Sequence, residues 1–352
     1  MSHADFRLSL VVPVYNEEES IDAFISAIDA ELAPLKDRLE IVFVNDGSRD
    51  RTREVVEQAI ARDPRVTLVN LARNFGKEAA MTAGLHQAKG DAMVPMDVDL
   101  QDPPALILEF VKLWQTGDYD TVYGIRVDRS ADTPMKRLTA GGFYRFFNAL
   151  STSTKLPENA GDFRLIDRKV VEALKQLPER NRFMKGLFAW AGFRAVGVPY
   201  ERPARHAGET KFNYWKLWNF ALDGLMSFSS WPLRVWSYVG VGVSFIAFLY
   251  ILKIITQVLF FGIDVPGYAS LMSVMLFLGG IQLLSLGIIG EYIGRMFVEV
   301  KQRPVYLIEG VYGQYAKQDE EQKQEVPTTS KKSAGKKAAA KAADDQQEQA
   351  SQ

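Results

Sequence analysis

The hydrophobic positions divide this chain into an alternating front part and two long apolar stretches behind it. Up to about residue 125, short apolar runs bounded by turn residues alternate with longer segments that have apolar residues at helical spacing. The short runs are typical of buried strands and the longer segments of helices. Regular alternation of the two predicts an α/β domain with a mostly parallel sheet and helices on both faces. The predicted strands are Arg7–Pro13, Glu40–Asn45, Val66–Leu71 and Asp91–Met96.

Three helices are predicted between these strands. The first runs from about Ser20 to Leu35, the second follows Ser48 as its N-cap, and the third is Lys77–Gln87. In a sheet of this kind, ligands bind beyond the carboxyl ends of the strands. Functional side chains are therefore expected in the loops that follow the strands.

The two apolar stretches run from about Val235 to Phe261 and from about Ala269 to Gly290. Each is long enough as a helix to cross a bilayer core of ~30 Å, which takes ~20 residues. Neither lies at the N-terminus, so neither is a signal peptide. We predict a transmembrane hairpin over 232–294, the alternative being a buried apolar hairpin in a soluble protein.

Basic residues flank the outer ends of the two stretches, whereas the 262–267 loop between them has none. By the positive-inside rule, this asymmetry places both termini and the α/β domain in the cytoplasm. The chain is therefore expected to be a multi-pass protein. The flanking basic residues are Arg234, Arg295, Lys301 and Arg303.

Three further segments differ in character from the α/β domain, which we assign to 1–210. Segment 211–231 carries three Trp and few charges, which favours an amphipathic helix at the membrane interface, with a core-facing helix as the alternative. Segment 295–317 is expected to be a cytoplasmic extension. Segment 318–352 has almost no large apolar residue and is expected to be disordered.

Composition excludes several classes of function. The chain has no cysteine, which excludes disulfides and thiolate metal sites, and its three histidines make a histidine-rich zinc site a poor expectation. The formal net charge of -1 gives no overall attraction to nucleic acid, and no nucleic-acid partner is expected.

The strongest chemical signal follows the fourth predicted strand. Asp97 and Asp99 are alternate residues, so on an extended segment their side chains lie on one side, and Gln101 adds an amide oxygen. Carboxylate and amide oxygens are ligands that suit Mg²⁺ or Mn²⁺. The pattern predicts a divalent cation site.

Three other loops end at the same predicted edge. The first strand ends at Pro13, which leaves Tyr15 and Glu17 at this edge, and the second is followed by Asp46, which could accept the N–H of a uracil ring. The loop 73–77 leads into a helix whose N-terminus favours an anion. Four such loops at one edge indicate a site for a nucleotide and a metal ion.

The motifs PVYNE, NDGSRD, RNFGKEAAMTAG, DVDLQDPP and GDFRLIDR resemble those of the inverting glycosyltransferases of family 2, which have the GT-A fold. The resemblance is to the polyprenyl-phosphate branch, which includes dolichol-phosphate mannosyltransferase and the bactoprenol glucosyltransferases of phage O-antigen modification. The paired apolar stretches and EYIGR at 291–295 point to the bactoprenol type. The resemblance covers about residues 8–310.

The resemblance implies a role for each matching residue. Asp162 matches the position of the candidate base, and Asp99, Gln101 and Asp97 the metal site. The residues implied in nucleotide-sugar binding are Pro13, Tyr15, Glu17, Asp46, Lys77 and Asp97. Those implied near the phosphates of the lipid and the donor are Arg126, Arg164, Arg168 and Lys211.

The reaction implied is transfer of glucose from UDP-glucose to undecaprenyl phosphate at the bacterial inner membrane, with Mg²⁺ or Mn²⁺ as cofactor and membrane lipids as surroundings. The same reaction with mannose, a modified arabinose or an N-acetylhexosamine stays open, as does a non-catalytic scaffold that binds a nucleotide sugar. A homo-oligomer, with a tetramer as one form, is expected. Small residues such as Gly279, Gly287 and Gly294 permit close helix packing.

Overall fold

A computed structural model describes residues 5–127, 160–177, 179–180, 182–201, 231–261 and 267–313. The predicted interfacial helix up to residue 230, the loop 262–266, the tail from residue 318 and Lys211 lie outside the described residues.

The described part of the chain alternates strands and helices before two long helices and a last strand. The strands are β1 Leu8–Val14, β2 Leu39–Asn45, β3 Val66–Leu71, β4 Ala92–Pro95, β5 Thr121–Arg126, β6 Ala160–Asp167, β7 Ala195–Tyr200 and β8 Ile308–Tyr312. The helices are α1 Ile21–Glu31, α2 Thr52–Arg62, α3 Lys77–Gln87, α4 Leu106–Gln115, α5 Arg168–Lys175, α6 Met184–Trp190, α7 Trp231–Phe261 and α8 Tyr268–Val300.

All of these strands belong to one sheet, in the order β7-β5-β6-β4-β1-β2-β3-β8. Its centre is parallel, because β1 pairs in parallel with β2 and β4, and β2 with β3. Strand β6 runs antiparallel to its neighbours β4 and β5, and β8 runs antiparallel to β3. The predicted α/β fold with a mostly parallel sheet is confirmed.

The sheet is covered on both faces, which explains the nearly continuous apolar runs of its central strands. On one face, α1, α2 and α4 bury side chains such as Phe24, Val56 and Phe110. On the other face, α3, α5 and α6 form a second cluster. A Cβ at Gly84 of α3 would overlap the side chains of Val11 and Val44, so glycine lets this helix lie close against β1 and β2.

The first predicted helix is too long. Helix α1 ends at Glu31, and Ala33–Arg38 forms a 3₁₀ helix instead of a continuation to Leu35. Pro34 explains the change because it has no N–H for the next helical hydrogen bond.

Ser48 is not the N-cap of the second helix, contrary to the prediction. Helix α2 begins at Thr52, whose backbone N–H and hydroxyl donate to Oδ1 of Asp50 at 3.1 and 2.6 Å. The Ser48 hydroxyl instead accepts the backbone N–H of Asn16 at 3.0 Å. Ser48 therefore connects the loops after β1 and β2 and does not cap the N-terminus of a helix.

The two apolar stretches form the long helices α7 and α8, which contact each other. Within the described residues, Phe277–Val300 is long and apolar enough to cross a membrane, with a mean hydropathy of 1.4, and Tyr238–Tyr250 is apolar but shorter. Helix α8 continues to Val300, beyond the predicted end at Gly290. The chain then returns to the α/β domain as β8, a strand that the sequence did not predict.

Candidate active site

A small open cavity lies at the carboxyl ends of β1 and β4, beside the first turn of α3 and the start of β6. Five of the residues predicted from sequence line it: Pro13, Lys77, Asp97, Arg126 and Asp162. The fold therefore brings together side chains that are up to 149 positions apart in the chain, from Pro13 to Asp162. The remaining lining residues are Met81, Pro95, Met96, Asp102 and Phe163.

Lys77 links two carboxylates in this cavity. Its Nζ lies 2.5 Å from Oδ1 of Asp97 and 3.9 Å from Oδ2 of Asp162. Burial opposes protonation of Lys77, but the charges of Asp97 and Asp162 outweigh it and hold its pKa above the ordinary value. Lys77 is therefore a permanent cation between the two acids.

Asp162 lies between two ammonium groups. Nζ of Lys185, on α6, is 3.9 Å from its Oδ1, whereas Nζ of Lys77 is 3.9 Å from its Oδ2. That Oδ1 is buried and has no hydrogen-bond partner among the described residues. Burial raises the pKa of Asp162, but Lys185, Lys77 and Arg164 outweigh it, so the net pKa is below the ordinary value. Asp162 is thus a carboxylate at neutral pH.

Lys185 was not predicted from sequence, because it lies 23 residues after Asp162 with no motif to mark it. Its helix is held by Glu78, whose Oε2 accepts the backbone N–H of Met184 at 3.2 Å. Burial and the nearby charge of Asp162 raise the pKa of Glu78 to about 7. Glu78 therefore connects the first turn of α3 to the first turn of α6.

Arg126 lines the cavity and contacts Asp102, an acidic residue that was not predicted from sequence. Its Nε donates to the Tyr200 hydroxyl at 3.2 Å, and its Nη2 lies 3.8 Å from Oδ1 of Asp102. The Tyr200 hydroxyl donates to the same Asp102 oxygen at 2.6 Å. Burial and Asp102 raise the pKa of Tyr200 to about 12. The position of Asp102 directly before two prolines in DLQDPP was the available signal.

The loops predicted to hold a nucleoside are tied to one another. Both carboxylate oxygens of the buried Asp46 accept backbone N–H groups, from Phe75 at 2.7 Å and Gly76 at 2.9 Å. The Asn16 side chain accepts the backbone N–H of Arg49 at 2.9 Å, so the loops after β1 and β2 are joined as well. Burial raises the pKa of Asp46 despite these bonds. Contact of Asp46 with a uracil ring stays a prediction.

Gly47 allows this close approach of loops. It has φ +66, in the left-handed region, and a Cβ there would lie 2.5 Å from the backbone of Arg73 and Asn74. A side chain at this position would push the loop 73–76 away from Asp46.

Asp97 and Asp99 do not lie on an extended segment, which corrects the reasoning that placed them on one side. Strand β4 ends at Pro95, and the chain turns before Leu100, which has φ 54. Oδ1 of Asp99 accepts the backbone N–H of Gln101 at 3.2 Å. Within the described ranges, no three His, Cys, Asp or Glu side chains converge as a metal cluster.

The oxygen atoms available here nevertheless fit a cation that takes some of its ligands from the protein and the others from a substrate and water. Mg²⁺ is commonly held by one or two carboxylates together with substrate phosphates and waters. Asp99 and Gln101 offer such oxygens, whereas Asp97 has its charge balanced by Lys77.

Two of the predicted phosphate-binding arginines do not reach the cavity. Arg164 is 6% exposed, donates to the Gly161 carbonyl at 2.7 Å and lies 4.2 Å over the Phe188 ring. Its charge acts on Asp162 from within the domain.

Arg168 lies at the other end of the strands from the cavity, so the prediction that it contacts a substrate phosphate is wrong. It donates to the carbonyls of Ala88 and Gly90, which precede β4. Because β6 is antiparallel to β4, Arg168 follows the end of β6 that is remote from Asp162, about 20 Å away along the strand.

Two family models match the chain. Glycosyl transferase family 2 matches residues 9–175, and the GtrB C-terminal hairpin matches residues 231–296. The first match contains the sheet edge and all the cavity residues. The second contains α7 and most of α8.

Several relatives match over nearly their whole length. An uncharacterized glycosyltransferase of Synechocystis sp. is 52% identical over 307 residues, which cover 87% of this chain and 96% of that protein. The SfII prophage-derived bactoprenol glucosyl transferase of Shigella flexneri is 51% identical, with coverage of 86% and 97%. The prophage bactoprenol glucosyl transferase homolog of Escherichia coli is 50% identical, with coverage of 87% and 99%.

Proposed function

The chain belongs to glycosyl transferase family 2, and on that basis we propose that it transfers glucose from UDP-glucose to a polyprenyl phosphate at a membrane surface. Two of the relatives at about half identity are named as a bactoprenol glucosyl transferase or its homolog. The observation that carries the proposal is the pair of contacts from Lys77 to Asp97 and Asp162 at the ligand edge of an α/β sheet. These charges suit a reaction between two phosphate-bearing substrates.

The donor would bind across the tied loops. Pro13, at the end of β1, would face the nucleoside together with Tyr15, Glu17 and Asp46 of the loops that follow β1 and β2 at the carboxyl edge. Lys77 would lie beside the diphosphate, because it is the first residue of α3 and carries a permanent charge. Asp97 holds that ammonium group in place.

A divalent cation, Mg²⁺ or Mn²⁺, would be held by Asp99 and Gln101, with Asp97 as the third predicted ligand. It would neutralise charge on the diphosphate as the sugar leaves.

The acceptor needs little activation in this reaction. A phosphate monoester has its second pKa near ~6, so at neutral pH it is mostly a dianion and already a nucleophile. Its oxygen would attack the anomeric carbon while the bond from that carbon to the UDP oxygen breaks, which inverts the configuration. Asp162 would orient the acceptor, and Lys77 and Lys185 would offset the repulsion between its carboxylate and the phosphate.

Arg126 would bind a substrate phosphate, and its position in the lining of the cavity supports this role. Asp102 and Tyr200 hold its guanidinium from behind, which fixes its orientation. A fixed guanidinium suits recognition of a phosphate, because its N–H groups match the phosphate oxygens.

The long helices would anchor this site at the cytoplasmic face of the bacterial inner membrane. Strand β8 supports that arrangement, because it returns the end of α8 to the same sheet that carries the cavity. If α7 and α8 both span, their outer ends lie on the side of the catalytic domain, as the basic flanks predict. Anchoring keeps the lipid phosphate near the donor, which is a proximity effect. The predicted homo-oligomer is a separate proposal, tested by the mass of the purified protein in detergent.

The test uses the purified full-length protein in detergent or nanodiscs. It is incubated with undecaprenyl phosphate, Mg²⁺ and radiolabelled UDP-glucose, and the organic phase is assayed for labelled lipid. The proposal expects labelled lipid with UDP-glucose and much less with UDP-N-acetylglucosamine or GDP-mannose. Preference for another donor would change the sugar but keep the reaction class, and no lipid product from any donor, together with UDP binding, would indicate a scaffold.

A further inference from the structure

Strand β8 carries an irregularity at the edge of the sheet. Gly310 pairs with Asn70 and Ile308 with Leu71, so Glu309 is an extra residue in β8 between the partners of two consecutive residues of β3. Such a bulge changes the direction of a side chain and is frequent beside active sites. Here it brings the Glu309 carboxylate to the carboxyl end of β3.

Glu309 is the first member of a chain of side-chain hydrogen bonds that runs across the sheet. Its Oε2 accepts from Nδ2 of Asn70 at 2.6 Å, and Oδ1 of Asn70 accepts from Nδ2 of Asn45 at 2.6 Å. Oδ1 of Asn45 then accepts the backbone N–H of Ser48 at 3.1 Å. The chain thus passes from β8, through the ends of β3 and β2, into the loop that contains Asp46.

The two asparagines in this chain are buried. Asn45 is 2% exposed and Asn70 is 3% exposed, so their amide groups depend on protein partners. Glu309 is at the surface, with a side chain 53% exposed, and its carboxylate is the acceptor for Nδ2 of Asn70. Removing that carboxylate leaves a buried donor without this partner.

A second contact fixes the same strand to α2. Nη2 of Arg53 donates to the Tyr312 hydroxyl at 3.0 Å, and Nη1 lies 3.5 Å from Oε1 of Glu309. Nε of Arg53 also donates to Glu57 on its own helix, at 2.8 Å. Arg53 therefore holds β8 through Oε1 of Glu309 and the Tyr312 hydroxyl, whereas Asn70 donates to Oε2 of Glu309. The Arg53–Tyr312 bond thus attaches the strand without involving the hydrogen-bond chain.

We propose that Glu309 is a positioning residue for the donor-binding loop 45–50, acting through Asn70 and Asn45. The inference rests on the proposed use of a UDP-sugar at that loop. Ser48, the last member of the chain, also accepts the backbone N–H of Asn16, so both loops assigned to the nucleoside depend on its position. A residue that follows the second long helix thereby shapes the donor site.

This arrangement has a consequence for the anchoring helices. The segment 301–307 joins α8 directly to β8, and the backbone N–H of Ala72 donates to the Leu307 carbonyl at 2.9 Å. Truncation after residue 230 would remove Glu309 along with the helices. Such a truncated protein is expected to bind UDP more weakly, besides losing its anchor.

The test compares point variants of the full-length protein in the same detergent. Glu309→Ala should raise the Kd for UDP, measured calorimetrically with Mg²⁺, and the KM for UDP-glucose by roughly tenfold, the effect of one hydrogen bond to a charged group. The KM for undecaprenyl phosphate should stay unchanged. Glu309→Gln keeps an oxygen that can accept from Asn70 and should remain within about threefold of wild type.

Two matched controls separate this role from general strand attachment. Tyr312→Phe removes the hydroxyl bonded to Arg53 on the same strand, and Glu57→Ala removes the other carboxylate partner of Arg53. Both should leave the Kd for UDP near the wild-type value. An equal rise in Tyr312→Phe and Glu309→Ala, or no rise in Glu309→Ala, would overturn the inference while wild-type UDP binding keeps the proposed function intact. Wild-type protein that neither binds UDP nor uses UDP-glucose would overturn both.

Discussion

Nζ of Lys77 lies 2.5 Å from Oδ1 of Asp97, and this contact joins the first turn of α3 to the turn after β4. The same ammonium group is 3.9 Å from Asp162 at the start of β6. One cation therefore holds together the donor side and the acceptor side of the proposed site.

Replacing Lys77 should disable transfer more than folding. Lys77→Met leaves Asp97 and Asp162 facing the substrate phosphates without that positive charge, and we expect kcat/KM to fall by about 10²–10³-fold, as for other preorganised electrostatic groups. Glucose transfer to undecaprenyl phosphate measures the effect. Lys36→Met, at a side chain 57% exposed on the 3₁₀ helix, is the control and should retain wild-type activity. Equal activity in the two variants would show that Lys77 has no role in transfer.

Asp162→Asn should lower kcat strongly while leaving the Kd for UDP within about threefold of wild type. The reason is that Asp162 is assigned to the acceptor and not to the nucleoside. Single-turnover transfer and UDP calorimetry on the same preparation separate the two effects. A near wild-type kcat would show that Asp162 has no part in the reaction.

Lys185 should be visible in the pH profile. Its charge is the largest of those that lower the pKa of Asp162, so in Lys185→Met that pKa should rise. Asp162 would then become protonated at a higher pH, and the acid limb of kcat/KM should move upward. Lys175→Met, which removes one of the basic partners of Glu172 on α5, is the control and should leave the limb in place. An acid limb that stays at the same pH in Lys185→Met would show that the charge of Lys185 does not lower the pKa of Asp162.

The same substitution should lower activity at Arg126 and stability at Arg168. Arg126→Gln should reduce transfer by about 10–100-fold, because it removes a fixed guanidinium from the cavity. Arg168→Gln should lower stability by about 1–3 kcal/mol, since carbonyls at Ala88 and Gly90 lose a donor, with activity per folded molecule unchanged. Thermal unfolding and initial rates measure both. Loss of activity in folded Arg168→Gln would contradict its placement at the far edge.

Glu78 should give stability a particular pH dependence. Its pKa is raised to about 7, so between about 4.5 and 7 the folded protein holds a proton that the unfolded chain has released. Stability should therefore fall as pH rises through that window. Glu78→Gln should remove this part of the slope, and Glu109→Gln on α4 should not. Identical slopes in all three proteins, measured by thermal unfolding, would show that Glu78 titrates normally.

The sequence predicted the front of the fold well, because local patterns determine it. The bounds of β3 and α3 match the prediction residue for residue, β2 begins one residue earlier than predicted, and β1 is shifted by one residue at each end. The errors arise where local chemistry overrides the pattern. Pro34 shortens α1, and Asp50, not Ser48, bonds to the first residue of α2.

The site was only partly predictable, for a topological reason. Loops after parallel strands meet at a known edge, so Asp46, Lys77 and Asp97 were placed from sequence. Strand β6 runs antiparallel to β4, which brings Asp162 into the site but carries Arg168 away from it. Residues brought in by distant segments, such as Lys185 and Glu309, have no local pattern that would reveal them.

The stereochemistry of the product tests the central claim most directly. Wild-type protein is given UDP-α-glucose, undecaprenyl phosphate and Mg²⁺, and the lipid product is purified for mass spectrometry and proton NMR of its anomeric centre. Direct attack by the lipid phosphate in the site between Lys77, Asp97 and Asp162 predicts a β-linked glucosyl phosphate. An α-linked product, or no glucosylated lipid at all, would contradict this account.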